Sequence, residues 1–106
     1  MTRWCILLLA IPLLVAAAMP AGVRAEVDGH ALARAWCASC HAVEPGELAG
    51  PVGDIPSFTA VARLPSTTVT ALHAFLTTPH GDMPDIKLSP DEIGAVVNYI
   101  LSLKRR

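Results

Sequence analysis

The residues of this chain whose types and spacing could do chemistry lie together in Trp36-Cys37-Ala38-Ser39-Cys40-His41. Two thiols with two residues between them stand at i and i+3, so on a helix both sulfurs face the same way. That spacing suits two thioether bonds to the two vinyl groups on one edge of a haem. Histidine directly after the second cysteine can then ligate the iron as a neutral imidazole. Other uses of the pair compete with this one. A redox dithiol needs a preceding strand in a βαβ context, and no strand pattern is visible. A zinc site needs four ligands, and His73 and His80 are the only extras, with no second cysteine pair. A disulfide across so small a loop would stabilise little, and chance occurrence in a short chain is the remaining alternative.

An iron that carries electrons without binding other molecules needs a sixth ligand. Met83 is the leading candidate: it is the last methionine of the chain, in an irregular loop between Asp82 and Pro84. A methionine in a loop is more often a packing residue, and His80 and His73 compete for the role. His80 lies three residues before Met83 in the same loop. His73 falls between Leu72 and Phe75 on a helical pattern, where an ordinary surface or core-edge histidine is the plainer reading.

The elements that must position these groups occupy little chain, since 106 residues make one small domain. Residues 1–25 read as a signal peptide. Arg3 precedes an uncharged run from Cys5 to Val23, and Val23-Arg24-Ala25 offers small residues for cleavage after Ala25. Pro12, Pro20 and Gly22 interrupt the run, which favours a cleaved signal over a retained membrane anchor. Cys5 leaves with it. Residues 26–106 then form the domain, with Cys37 and Cys40 as its cysteines and Met83 as its methionine.

This domain reads as all-α. Asp28 can cap a helix with Ala31, Leu32, Ala35 and Trp36 apolar, which delivers the cysteines. Glu44-Pro45-Gly46-Glu47 is turn chemistry, and a short helix is expected from about Ser57 to Arg63, with Phe58, Val61 and Leu64 apolar. Ser66 is expected to cap the next helix, carrying Val69, Leu72, Phe75 and Leu76 and stopping before Pro79. Ser89-Pro90 with Glu92 opens the last helix by a capping box, with Ile93, Val96, Val97, Ile100 and Leu101 on its apolar face. Six basic residues face nine acidic ones over residues 26–106, a formal charge of −3, which excludes the basic face that nucleic-acid binding needs.

With these residues in hand, the chain resembles the class I cytochromes c, the small single-haem forms exported by bacteria. The resemblance covers residues 26–106. Gly29, eight residues before Cys37, matches the family's glycine where two terminal helices cross, and Tyr99 matches an aromatic kept against it. Gly50-Pro51 resembles the family's Gly-Pro, which implies that the Pro51 carbonyl accepts the other N–H of His41 and strengthens its donation to iron. Met83-Pro84 matches the distal ligand. The resemblance implies a cytochrome c fold of four short helices wrapped around one covalent haem c, with His41 and Met83 on the iron and Cys37 and Cys40 on the macrocycle. It implies an electron carrier rather than an enzyme, a periplasmic monomer serving redox proteins, with membrane attachment only if residues 1–25 are kept as an anchor. Arg63 is a candidate for the haem propionates. The family's aromatic in the first helix is missing, Trp36 standing directly before Cys37 instead, and the docking lysines of mitochondrial relatives are absent. The alternative is a haem sensor or enzyme subunit whose sixth ligand is displaceable.

Overall fold

Each α-helix among the described residues begins at a residue with a short oxygen-bearing side chain. In the computed structural model, which describes residues 26–105, Asp28 accepts from the backbone N–H groups of His30 and Ala31 and opens α1 (Gly29–Trp36). Ser57 does the same for α2 (Phe58–Arg63) through the N–H of Ala60. Ser89 opens α4 (Pro90–Ser102) by the expected capping box: Ser89 Oγ accepts from the Glu92 N–H, and the Glu92 carboxylate accepts from the Ser89 N–H. A single 3-10 turn, Leu103–Arg105, follows it. No strand occurs among the described residues, in agreement with the all-α reading.

The cap of α3 (Val69–Thr77) corrects the sequence reading, because it is Thr68, two residues after the expected Ser66. Three hydroxyl residues run in succession here. Thr67 is turned inward, where its hydroxyl donates to the Val61 carbonyl at 2.6 Å, and this leaves Thr68 at the last extended position before the helix. Leu72 of α3 is buried, whereas Val69 and Phe75 are more than half exposed. Leu64 is exposed too, since the chain has already left α2 in an extended conformation there.

A second correction concerns the face that α1 buries. The inward stripe is Gly29, Ala33 and Cys37, spaced at i, i+4 and i+8; of the expected apolar set Leu32 packs against the core, Ala31 and Ala35 are exposed, and Trp36 is exposed at the far end. Small residues win because α1 crosses α4 at close range. A Cβ placed on Gly29 would lie 2.0 Å from the Ala95 carbonyl oxygen and 3.1 Å from Tyr99 Cβ. The glycine and the aromatic expected at this crossing are therefore both in place. Around the crossing, Phe58, Leu72, Ile93, Val96, Val97, Ile100 and Leu103 close one core, with α3 and α2 packed on α4.

No helix among the described residues is long and apolar enough to cross a membrane. The signal segment, its cleavage after Ala25, and Cys5 lie outside the described residues, as does Arg106.

Gly29→Ala should cost about 3 kcal/mol, because the clash is with backbone that cannot rotate away. Gly94→Ala, on the same helix pair but with no atom within 4 Å of the added carbon, should instead stabilise by about 0.5 kcal/mol. Thermal unfolding of the two holoproteins checks the contrast, and equal effects would contradict the close crossing.

Candidate functional site

The buried stripe of α1 ends at Cys37, and the chain there turns rather than continuing the helix. Cys40 N–H and His41 N–H both donate to the Cys37 carbonyl, at 3.1 and 2.9 Å, so the two cysteines and the histidine are wound into one compact turn. Burial pushes the Cys37 thiol up from its ordinary value, holding it in the protonated and less nucleophilic form; Cys40 is half-buried. Neither is in a disulfide.

His41 is held by its ring. Its Nδ1 lies 2.7 Å from the Pro56 carbonyl oxygen. A carbonyl can only accept, so Nδ1 carries the proton and Nε2 keeps its lone pair for a metal. The acceptor is Pro56, and this corrects the expected Pro51. The physical reason is the path of the intervening loop. Gly50 presses on the haem-motif backbone, where an added Cβ would lie 2.7 Å from Ala42 N, but the chain then swings outward and leaves Pro51 exposed. It returns at Pro56, pinned by the Phe58 N–H on the Ala42 carbonyl at 2.9 Å and by the Gly46 N–H on the buried Thr59 hydroxyl at 3.0 Å. Phe58 then packs its ring 5.3 Å from that of His41. Pro56 carried no side-chain signal in the sequence, since the group it contributes is backbone.

A second fastening runs behind the motif. Arg34 of α1 grips Glu44 with two nitrogens, at 2.7 and 3.2 Å, and His30 Nε2 meets the same carboxylate at 2.9 Å. The His30 ring stacks on Tyr99 of α4 at 4.5 Å, and the Tyr99 hydroxyl donates to the Val43 carbonyl. The Arg34 guanidinium, ahead of His30, holds the Glu44 carboxyl below the usual carboxylate range.

Cys37 and Met83 line the same cleft. Its walls come from α1, α3, the 78–88 segment and α4, and they are largely apolar, with Leu32, Leu76, Ile86 and Val96 among them. Trp36 and Phe75, each 57% exposed, also line it. Cys40 and His41 belong to the adjoining turn rather than to the cleft lining. Arg63 sits in the exposed last turn of α2. His80 lines the cleft beside Met83; His73 is half-buried on α3 and is not part of that lining. Among the described residues no cluster of three or more His, Cys, Asp or Glu side chains could hold a bare metal ion, which weighs against the zinc alternative. Two thiols in one turn, an imidazole with Nε2 free, a thioether and an apolar cleft do fit a covalently attached haem.

Comparison with known proteins agrees with this chemistry. The family model described as cytochrome c oxidase, cbb3-type, subunit III matches residues 24–100. The chain is similar to cytochrome c-552 of Bradyrhizobium diazoefficiens, with 40% identity over 97 residues, 91% of this chain and 92% of that protein. No solved structure matches it significantly.

The Glu44 fastening has a pH signature. A carboxylate whose folded-state pKa is depressed contributes stability that is present above its unfolded pKa and is lost as pH falls through the folded value. Glu44→Gln should therefore lower stability at neutral pH and flatten its acid-side dependence. Denaturant titrations of both holoproteins across the acid range measure this; coincident curves would show that Glu44 contributes nothing.

Proposed function

The chain belongs to the family of small single-haem c-type cytochromes, and from that premise we propose that it carries single electrons with its iron held between His41 and Met83. An electron-carrier role follows from the family, and the axial pair and the partners are our own reading. The observation that carries it is the His41 Nδ1 bond to Pro56, which fixes the ring and frees Nε2, together with a methionine sulfur on the cleft that Cys37 lines.

Bound haem c supplies an iron that cycles between two oxidation states. Everything else is done by this chain. Cys37 and Cys40 anchor the macrocycle as thioethers. His41 donates its Nε2 lone pair, and Pro56 keeps the proton on the other nitrogen. Met83 offers a soft sulfur that favours the reduced iron and so raises the potential. Leu32, Leu76, Ile86 and Val96 keep water from the interior of the cleft. With both His41 and Met83 on the iron, dioxygen, peroxide or an organic substrate would find no open ligand position, which is why this reading is of a carrier and not of the sensor or enzyme alternative.

Cys40 is half-buried on the turn beside the cleft, so the thioether edge is the proposed exit for the electron. Partners are redox proteins that dock transiently there. Asp82 is exposed on the ligand loop, and Asp85 is paired with Lys87, so the loop favours a partner surface that is not acidic. Export to the periplasm follows from residues 1–25 read as a cleaved signal, and the monomeric state is part of the same reading.

Visible spectroscopy of the exported protein tests the proposal. Low-spin spectra in both oxidation states, with a weak sulfur-to-iron band on oxidation, are expected. A high-spin form that binds carbon monoxide would favour the sensor. His41→Ala should abolish stable haem incorporation, and normal holoprotein from that variant would refute the proximal assignment.

A further inference from the structure

The loop that carries Met83 presents a second donor of the same reach. Met83 N–H donates to the His80 carbonyl at 3.2 Å, so the two residues are the first and last of one tight turn, with Gly81 at its corner at φ +50°. Both side chains line the cleft. His80 Nδ1 lies 3.0 Å from the Thr78 carbonyl oxygen, which can only accept. Its proton is therefore on Nδ1 and its lone pair on Nε2, the same arrangement that Pro56 imposes on His41. Phe75 meets the His80 ring edge-on at 4.9 Å and braces it. An imidazole in this state is dressed as a ligand, yet the iron needs no third one.

We infer that His80 is a reserve axial ligand, which takes the iron when the Met83 sulfur is lost to oxidation. The inference rests on the Met83 assignment above. Met83 is only half-buried, at the edge of the cleft. Hydrogen peroxide delivers one oxygen atom to the thioether. The O–O bond breaks, the sulfur becomes a sulfoxide, and the second oxygen leaves as water, so the sulfur is oxidised by two electrons and the peroxide is reduced by two. The sulfoxide is polar and no longer the soft donor that suits the site. A turn that already places His80 on the cleft lining exchanges nitrogen for sulfur by reorienting four residues, between the rigid points Pro79 and Pro84. The iron stays closed, at a lower potential, and the damaged carrier does not become an open haem that reacts with further peroxide.

The test compares wild-type holoprotein with Met83→Ala and with His80→Ala/Met83→Ala. Met83→Ala should lose the sulfur-to-iron band but remain low-spin, with a two-nitrogen electron paramagnetic resonance signature and a lowered potential. The double variant should turn high-spin. Its apparent carbon monoxide affinity should exceed that of Met83→Ala by about tenfold or more, because a self-ligated state withholds the iron in proportion to its population. A high-spin Met83→Ala protein, or a double variant that stays low-spin, overturns the reserve role while leaving Met83 as the resident ligand. A wild-type spectrum without the sulfur band defeats the Met83 assignment itself. Should either variant fail to retain haem, peroxide-treated wild type and peroxide-treated His80→Ala decide the matter: only the second should bind carbon monoxide, and equal binding overturns the proposal.

Discussion

Everything in this domain depends on how closely two helices cross. Gly29 lets α1 lie against the Ala95 carbonyl of α4 at a distance that no side chain permits. That contact fixes the direction of α1, and α1 ends at Cys37, so it also fixes where both thioether sulfurs and the His41 imidazole are placed. The apolar stripe on α1 is composed of small residues for the same reason. A larger stripe would bury more area but hold the helices apart, and the haem motif would be delivered to the wrong place. Stability at the crossing comes instead from side contacts that do not occupy the gap. His30 stacks on Tyr99, Tyr99 reaches the Val43 carbonyl, and Glu44 collects Arg34 and His30.

What the sequence disclosed depended on whether side chains or backbone did the work. Cys37, Cys40 and His41 declare themselves because their chemistry is in their side chains. Asp28 and the Ser89-Pro90 start with Glu92 were equally legible, since a cap is a local bargain between a short side chain and nearby N–H groups. Gly29 and Tyr99 were legible through the resemblance and are in place. Pro56 was not. Any residue type can supply a carbonyl, and the selection between residues 51 and 56 is made by the tertiary path of an irregular loop. Even there the sequence held half the answer, because Gly50 does make a close approach to the motif. Thr68 was hidden by degeneracy, three hydroxyl residues standing in a row with one recruited inward. The face of α1 was legible in part, through Leu32, which packs against the core. At the close crossing size decides instead of hydrophobicity, and Gly29 and Ala33 take the buried positions there.

The two sides of the iron site are built with different stiffness. The His41 side is tied to its surroundings by Pro56, by Gly50 pressing on the 40–42 backbone, by the Phe58 N–H and by the fastening to α4. The Met83 side is a loop between Pro79 and Pro84 followed by irregular chain, held by short-range backbone bonds from Met83 to His80, Ile86 to Pro84 and Leu88 to Ile86. Local bonds of this kind open without disturbing the core, so the loop belongs to the low-stability end of the molecule. The asymmetry suits the chemistry. A proximal ligand that moved would release the macrocycle from its orientation. A distal ligand on this loop, as proposed for Met83, would set the potential, and loop packing could tune it without touching the helices.

That division also explains why one turn can carry two donors without cost to the fold. His80 and Met83 are placed by a corner glycine and a flanking carbonyl rather than by core contacts, and neither is needed to bury the apolar interior. On the proximal side a second donor would have to displace Phe58 or break the Pro56 bond, both of which hold α2 against the motif. The choice between sulfur and nitrogen is thus available only where the chain is loosest. On the proposed ligation the rigid half supplies the attachment, the adjustable half would set the electronic character of the metal, and the crossing at Gly29 keeps the two from interfering.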